Sequence, residues 1–295
     1  MYKRILVGVD GSHQSEHALA RGIELAKQFE AVLIIGHVID VRNLQGTHTL
    51  YTGSLIEAWK DKTTLMLEKY KKEAVEKGVH EVETYYINGS PRADVSKKLV
   101  KEKQADLLIT SRTGRNRIER FLTGSVAEAS IYHAPSDYLM VRDCEEPEKN
   151  DYQTILVAVD GSPQAENAFI QAVKISKKNG AALTIANVIP NMVYVNGALV
   201  SVAVPSNNEA MKQSQELVYG YKARAEEAGI ANVQVDISIG DPRDMLIGLV
   251  PKEVKPDLMI CGATGQSKLS RIVVGSVADA MLRHAKCDVL AVKLK

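Results

Sequence analysis

The sequence has little with which to build a disulfide scaffold or to cross a membrane. Three of its 295 residues are cysteines, and we interpret these widely spaced residues, without a C-x-x-C pair, as reduced thiols. No apolar run approaches the roughly 18 residues that a membrane-spanning helix needs. The opening residues MYKR lead into a strand-like segment rather than a signal-peptide core. We therefore expect a cytoplasmic protein that does not associate with membranes.

An excess of one charge is also absent. The 37 Lys and Arg residues nearly balance 36 Asp and Glu residues, which leaves a formal net charge of +1. A protein without a strong positive field does not attract a nucleic-acid backbone over long distances. We expect no nucleic-acid partner, and any anionic ligand must be held by local groups.

Several motifs of nucleotide enzymes are missing. The phosphate-binding string G-x4-G-K-[ST] does not occur, and the first turns read VDGS in place of the dinucleotide fingerprint G-x-G-x-x-G. The seven histidines show no pairing at metal-ligand spacing, and no Ser, His and acid set indicates acyl transfer. The sequence therefore predicts no catalytic residue and leaves the metal content open.

An internal repeat organises the chain. The string ILVGVDGS at 5–12 recurs as ILVAVDGS at 155–162, and later glycines recur in the same register. A charged stretch, DCEEPEKND, separates the two copies and has the composition of an exposed linker. We predict one domain over residues 1–142, a linker over 143–151 and a second domain over 152–295.

Within each half, short apolar runs alternate with longer amphipathic ones, which predicts an α/β fold with a parallel sheet covered by helices on both faces. The strands predicted in the first half are Ile5 to Val9, Ala31 to Val38, Val82 to Ile87, Asp106 to Thr110 and Tyr138 to Val141. Those predicted in the second half are Ile155 to Val159, Ala182 to Val188, Val233 to Ile239, Asp257 to Cys261 and Val289 to Val292.

Parallel α/β sheets bind ligands beyond the carboxyl ends of their strands. Asp10 and Asp160 directly follow the opening strands, and glycine-bearing segments follow the fourth strands. Glycine lets a backbone approach a ligand closely, and a helix that begins at Gly275 and Ser276 offers N–H groups and a favourable dipole to a phosphate. Glycines also make ordinary turns, and an Asp before Gly-Ser can simply bond the turn backbone.

The opening ILV-x-VDGS, the G-x2-G-x9-G-S pattern and the closing D-x-L-x-V strand together resemble the universal stress protein family in tandem form. The resemblance implies two tandem, doubly wound, five-stranded parallel-sheet domains of strand order 3-2-1-4-5, similar to the adenine nucleotide alpha hydrolase group. It also implies ATP as the ligand, with a divalent cation such as Mg²⁺ accompanying the phosphates. The family's pairing of edge strands further implies an internal pseudo-dimer of the two halves and leaves a homodimer open.

The family's ATP contacts transfer to numbered positions of this chain. In the second half they imply contacts to the nucleotide by Asp160, the Val188 backbone, Gly262, Gly265, Gly275, Ser276 and Val277. In the first half the matching positions are Asp10, Val38, Ser111, Gly114, Gly124, Ser125 and Val126. Here Ser111 replaces the first glycine. If that position needs a positive φ or a close approach of backbone to ligand, the serine costs on the order of 1 kcal/mol and weakens the first site.

The expected function is that of a nucleotide-dependent regulatory module of the stress response, with little or no rapid catalysis. Two alternatives stay open: a slow ATPase or nucleotidyl-transfer enzyme that uses the same adenine pocket, and a scaffold with one or both sites empty. The apolar segment from Pro190 to Pro205 is interpretable as a lid, an interface or a core segment.

Overall fold

A computed structural model describes residues 2–42, 52–112, 124–142, 151–195, 198–201, 208–263 and 274–294. The chain divides into two compact units, Met1–Asn150 and Asp151–Lys295. Of the predicted linker at 143–151, residues 143–150 lie outside the described residues. No helix in the described part of the chain is long and apolar enough to cross a bilayer.

The first unit contains a parallel sheet in which the first strand is central. Its strand order is β3-β2-β1-β4-β5, as the resemblance implies, and every neighbouring pair is parallel. The strands are β1 (Arg4–Gly8), β2 (Val32–Asp40), β3 (Val82–Gly89), β4 (Leu107–Ser111) and β5 (Asp137–Val141).

The second unit repeats this topology with the order β10-β7-β6-β11-β12. Its parallel strands are β6 (Thr154–Ala158), β7 (Ala182–Pro190), β10 (Val233–Gly240), β11 (Leu258–Gly262) and β12 (Asp288–Val292). It adds an antiparallel pair within the segment whose role the sequence left open, formed by β8 (Met192–Val195) and β9 (Ala198–Ser201).

The predicted strands are all present, with ends that differ by at most two residues. The largest differences are at β2 and β3, which continue to Asp40 and Gly89 because these two residues still pair with each other. Strand β7 likewise extends to Pro190 opposite Gly240. Pairing between neighbours, which a single strand's sequence does not reveal, sets these ends.

Helices connect the strands of both units. The first unit contains α1 (His13–Phe29), α2 (Thr52–Glu76), α3 (Pro91–Asp94), α4 (Val100–Glu102) and α5 (Ser125–His133). The second unit contains α6 (Pro163–Asn179), α7 (Asn208–Glu227), α8 (Pro242–Asp244), α9 (Val250–Val254) and α10 (Ser276–His284). Serine side chains cap α1 and α6: the Ser12 and Ser162 hydroxyls accept from the backbone N–H groups of Ser15 and Ala165.

Helices cover both faces of each sheet, so the central strands are fully buried. Ile5, Leu6 and Val7 are 0% exposed, as expected for a parallel strand between two helical layers. In the first unit, α1 packs on one face, where Gly22 lies against Val7 and Leu33. A Cβ on Gly36 would instead meet Leu99 on the opposite face. Residues of β2 therefore alternate between the α1 side and the α3 side.

A π-helical turn interrupts the helix after the third strand in both units. It spans Val95–Leu99 between α3 and α4, and Met245–Leu249 between α8 and α9. Such a turn holds one more residue than an α-helical turn and occurs often beside functional sites. The two turns occupy matching positions in the repeat.

A buried hydrogen bond joins the start of each unit to its last strand. The Tyr2 hydroxyl donates to Asp137 Oδ2 at 2.9 Å, and the Tyr152 hydroxyl donates to Asp288 Oδ2 at 2.7 Å. Burial, followed by the Asp137 charge, raises the pKa of Tyr2 well above its ordinary value, so the phenol stays protonated and remains a donor. The bond thus satisfies a carboxylate at the buried start of the closing strand.

Replacing Tyr152 with Phe removes the donor and leaves the buried Asp288 carboxylate short of one partner. We expect the free energy of unfolding to fall by about 1–3 kcal/mol. Urea denaturation followed by far-UV circular dichroism measures this loss. Tyr219→Phe is the matched control, because Tyr219 is 54% exposed on α7. Equal midpoints for the two variants would contradict the proposed stabilisation.

Candidate functional site

A cavity of about 600 Å³ opens at the carboxyl edge of the second unit's sheet. It lies where β6 and β11 are neighbours and their following segments diverge, which is the switch point of a doubly wound sheet. Every predicted site residue of this unit that the structure describes lines the cavity, namely Asp160, Val188, Gly262, Gly275, Ser276 and Val277. Gly265 lies outside the described residues.

The start of α10 forms one wall of this cavity. Gly275 is the residue before the helix and makes no side-chain cap, in contrast to Ser162 at α6. Its own N–H donates to Ala263 O at 2.8 Å, which holds the helix start against the end of β11. The N–H groups of the first helical turn have no acceptor within the helix. This wall therefore offers donors and the positive end of a helix dipole to an anion.

Asp160 contributes a carboxylate at the centre of the edge. Its Oδ1 accepts from the Ser162 N–H at 3.0 Å, and Asp10 Oδ1 accepts from the Ser12 N–H at 2.9 Å in the first unit. The alternative that this residue bonds its own turn is therefore realised in both units. Because Asp160 also lines the cavity, the turn bond fixes the orientation of a carboxylate in the cavity wall.

A polar pair beside Asp160 was not predicted from the sequence. Asn187 Nδ2 donates to Val159 O at 2.6 Å, and the buried Ser214 hydroxyl donates to Asn187 Oδ1 at 2.6 Å. Both residues line the cavity. In the first unit His37 Nδ1 lies 2.7 Å from Val9 O, and Nδ1 must be the donor because a carbonyl only accepts. The sequence did carry a signal for these hydrogen bonds. A polar residue, His37 or Asn187, directly precedes Val38 or Val188 in each unit.

Cys261 also lines the cavity but is 3% exposed. Burial raises the pKa of its thiol to about 12, so the thiolate that would react as a nucleophile is disfavoured. This agrees with the interpretation of Cys261 as a small buried residue. Cys287 is half-buried, and Cys144 lies outside the described residues.

Glycine at position 262 is explained by a steric contact and not by a positive φ. Gly262 and Ser111 both end a strand, and neither is among the described residues with positive φ. The alternative that this position needs a positive φ is therefore wrong, whereas a close approach of backbone to ligand stays a prediction. A Cβ at 262 would lie 2.8 Å from Gln164 Cβ and 3.0 Å from the Gln164 carbonyl carbon. The close neighbour that requires glycine is the first turn of α6.

The first unit places its predicted residues at the equivalent edge. Asp10 follows β1, Val38 is buried in β2, and Gly124 precedes α5 without a side-chain cap. Gly124 N–H donates to Arg112 O at 2.7 Å, which brings Ser125 and Val126 beside the Ser111 end of β4. Gly114 lies outside the described residues.

Arg112 takes the position that buried Ala263 occupies in the second unit, since each follows its fourth strand and accepts from the glycine before the next helix. Its side chain is half-buried, and burial together with the positive charge of Arg142 lowers its pKa. Arg112 and Arg142 thus place two positive charges near this edge of the first unit.

The two units form a tandem α/β protein with a cavity at the topological switch point of the second unit's sheet. The model of the universal stress protein family matches residues 1–142 and 151–293. The chain therefore belongs to the universal stress protein family, in a tandem form.

Relatives support this assignment. A Staphylococcus epidermidis protein and a Staphylococcus aureus protein, each named as a universal stress protein, are 41% and 42% identical to this chain over 152 and 146 residues. The matches cover 52% and 50% of this chain, and 90% and 87% of those proteins. A solved universal stress protein structure from Archaeoglobus fulgidus has a TM-score of 0.71 at 19% identity, covering 98% of both chains, and shows the fold.

Replacing Gly262 with Ala tests why glycine is needed there. We expect the first turn of α6 to shift outward, with a loss of about 1–3 kcal/mol in the free energy of unfolding, because the new Cβ overlaps Gln164. Chemical denaturation without nucleotide measures the loss, and amide hydrogen exchange locates it at 162–166. Gly220→Ala is the control, since nothing lies within 4 Å of its Cβ position. Wild-type stability for Gly262→Ala would contradict this explanation.

Proposed function

We propose that the second unit binds an adenine nucleotide, ATP, in the edge cavity, and that the chain acts as a nucleotide-dependent regulatory module of the stress response without rapid catalysis. The observation that carries the proposal is the convergence of Asp160, Val188, Gly262 and the uncapped start of α10 on one cavity. The positions were expected from family contacts, and the cavity is a separate geometric observation.

The walls of the cavity fit the chemistry of such a nucleotide. Aliphatic side chains of Val188, Leu217 and Leu246 line part of it and suit a flat, apolar base. Asp160 supplies an acceptor for base or ribose donors. The start of α10 supplies N–H groups for phosphate oxygens. We assign the base to the β7 side and the phosphates to the α10 side.

The first unit is proposed as the weaker nucleotide site. The cavity described there, of about 570 Å³, is lined by none of Asp10, Val38, Ser111 and Gly124. Ser111 also adds a side chain where the second unit has only a glycine. Arg112 has the opposite effect on affinity. It favours phosphate binding in the first unit, because a guanidinium forks onto phosphate oxygens.

Substituting Asp for Gly275 separates the role of the helix start from that of the base pocket. Aspartate is a good helix cap, so the fold should be retained, but its negative charge lies where phosphates are expected. We expect ATP affinity in the second unit to fall at least about tenfold while adenosine affinity changes little. Calorimetric titration with ATP and with adenosine measures both, with magnesium present because phosphates bind it.

Gly124→Asp in the first unit is the matched control and should affect only a weaker binding phase. If Gly275→Asp binds ATP as the wild type does, the phosphates do not lie at α10 and the proposed orientation fails. If neither the wild type nor the variants bind ATP, ADP or AMP, the scaffold alternative replaces the nucleotide-binding proposal.

The proposal of a binding module also predicts slow or absent chemistry. We expect purified protein to release phosphate, or transfer a nucleotidyl group, far below the usual enzyme range of about 1–1,000 per second. Product release from ATP, followed by chromatography over hours, measures this. Turnover within that range, abolished together with binding by Gly275→Asp, would instead identify the chain as an enzyme.

The pairing of the two halves through their closing strands, and any association into homodimers, stay predictions. Site-directed cross-linking between residues near 138–141 and 289–292 tests the first, and sedimentation analysis tests the second. Efficient cross-links within one chain are the expected result.

A further inference from the structure

The third strand of the first unit has an open edge. Strand β3 pairs with β2 on one side, and no described strand of this unit pairs with its other side. It is eight residues long and contains neither proline nor lysine, the residues that commonly protect an edge. Its one charged residue, Glu83, is held by Arg4 and Lys103. The outer N–H and C=O groups of β3 can therefore pair with another strand.

Helix α2 forms the wall beside this edge. Thr64 and Glu68 line a groove of about 210 Å³ together with Thr84 and Tyr86 of β3. Because Thr64 and Glu68 are one helical turn apart, residues at further spacings of three and four share their side of the helix. The charged residues at these spacings are Glu57, Lys60 and Lys71.

The charges on this side of α2 reverse in sign about Thr64. Lys60 and Glu68 each lie four residues from Thr64, and Glu57 and Lys71 each lie seven residues from it. Glu57 and Lys60 pair with each other at 2.7 Å, whereas Glu68 and Lys71 have no ion-pair partner among the described residues. An antiparallel copy of α2 centred on Thr64 brings a charge of opposite sign to each of the four.

We propose that a second copy of this chain pairs with β3 to form a symmetric dimer. Its two-fold axis lies perpendicular to the sheet beside Tyr85, so the two β3 strands run antiparallel and every opposed pair shares one face. Tyr85 then lies opposite Tyr85 of the second copy, and Thr84 lies opposite Tyr86. Glu83 lies opposite Ile87 and meets no like charge. Aromatic and β-branched pairs of this kind stabilise antiparallel strands.

The same axis brings the two copies of α2 into register. Helix α2 packs on both β2 and β3, and Thr64 lines the groove beside the centre of β3. With paired strands about 4.8 Å apart, the two helices lie about 10 Å apart, which is an ordinary packing distance. Lys60 then faces Glu68 of the second copy, and Glu57 faces Lys71. This association does not depend on nucleotide binding.

The second unit shows that the fold does not require this surface. At its corresponding edge strand, β10, Asp236 takes the position of Tyr85, and Tyr219 on α7 takes the position of Glu68. The same axis beside β10 would place two Asp236 carboxylates opposite each other, which opposes pairing. Each chain therefore has one self-complementary edge among its described strands, and association through it closes as a dimer instead of growing into a filament.

Sedimentation equilibrium of the full chain without nucleotide tests the dimer. We expect a reversible dimer whose fraction rises with protein concentration. Lys60→Glu and Glu68→Lys should each raise the dimer dissociation constant about fivefold or more, because each altered pair occurs twice in the dimer. The variant with both substitutions should regain wild-type affinity within about twofold, since the pair is restored with reversed signs.

Lys62→Glu is the matched control, because Lys62 lies on the other side of α2, in the lining of the cavity of about 570 Å³, and should leave association unchanged. Tyr85→Asp copies Asp236 and should weaken the dimer at least about tenfold. Circular dichroism checks that each variant is folded. A monomer at every concentration, a dimer that neither charge reversal weakens, or a double variant that stays as weak as the single variants would overturn the proposal.

Discussion

The site depends on one feature of the sheet topology. Successive strands are first added on one side of the opening strand of each unit and then on its other side. The chain leaves β1 or β6 toward one neighbour and returns on the other side, so β2 and β4, or β7 and β11, flank the opening strand. The segments that follow the two central strands then run over opposite faces and leave a crevice. The buried apolar strands make this edge rigid, and short polar residues immediately beyond them form the cavity.

Two helix starts meet at this crevice, and their different caps explain their different roles. The first turn of α6 is satisfied internally by the Ser162 hydroxyl, which Asp160 in turn holds through the Ser162 N–H. The start of α10 has only glycine before it. The first of these helix dipoles is capped by a protein side chain, whereas the start of α10 has no side-chain cap among the described residues. The same division between Ser12 and Gly124 exists in the first unit.

Much of this arrangement was predictable because it is encoded locally. Alternating apolar runs predicted the parallel sheets, and Ser162 before Pro163 is a local sequence signal for the start of α6. The family resemblance added the strand order and the site positions. What escaped prediction depends on distant contacts: Gly262 is glycine because Gln164 lies against it, and Asn187 reaches Val159 across neighbouring strands. The β8–β9 pair was missed because its apolar residues fit several structures equally well.

The π-helical turns at Val95–Leu99 and Met245–Leu249 let each unit tolerate the loss of one residue from this helix. Before the turn in the second unit, Pro242 faces the cavity, and after it Val250 packs in the core at 2% exposure. The additional residue acts as a spacer that lets these two ends be positioned independently. Removing one residue from this stretch would convert the π-helical turn into an ordinary α-helical turn instead of unravelling the helix. A cavity wall can in this way change its shape across related chains while the hydrophobic core beneath it keeps its register.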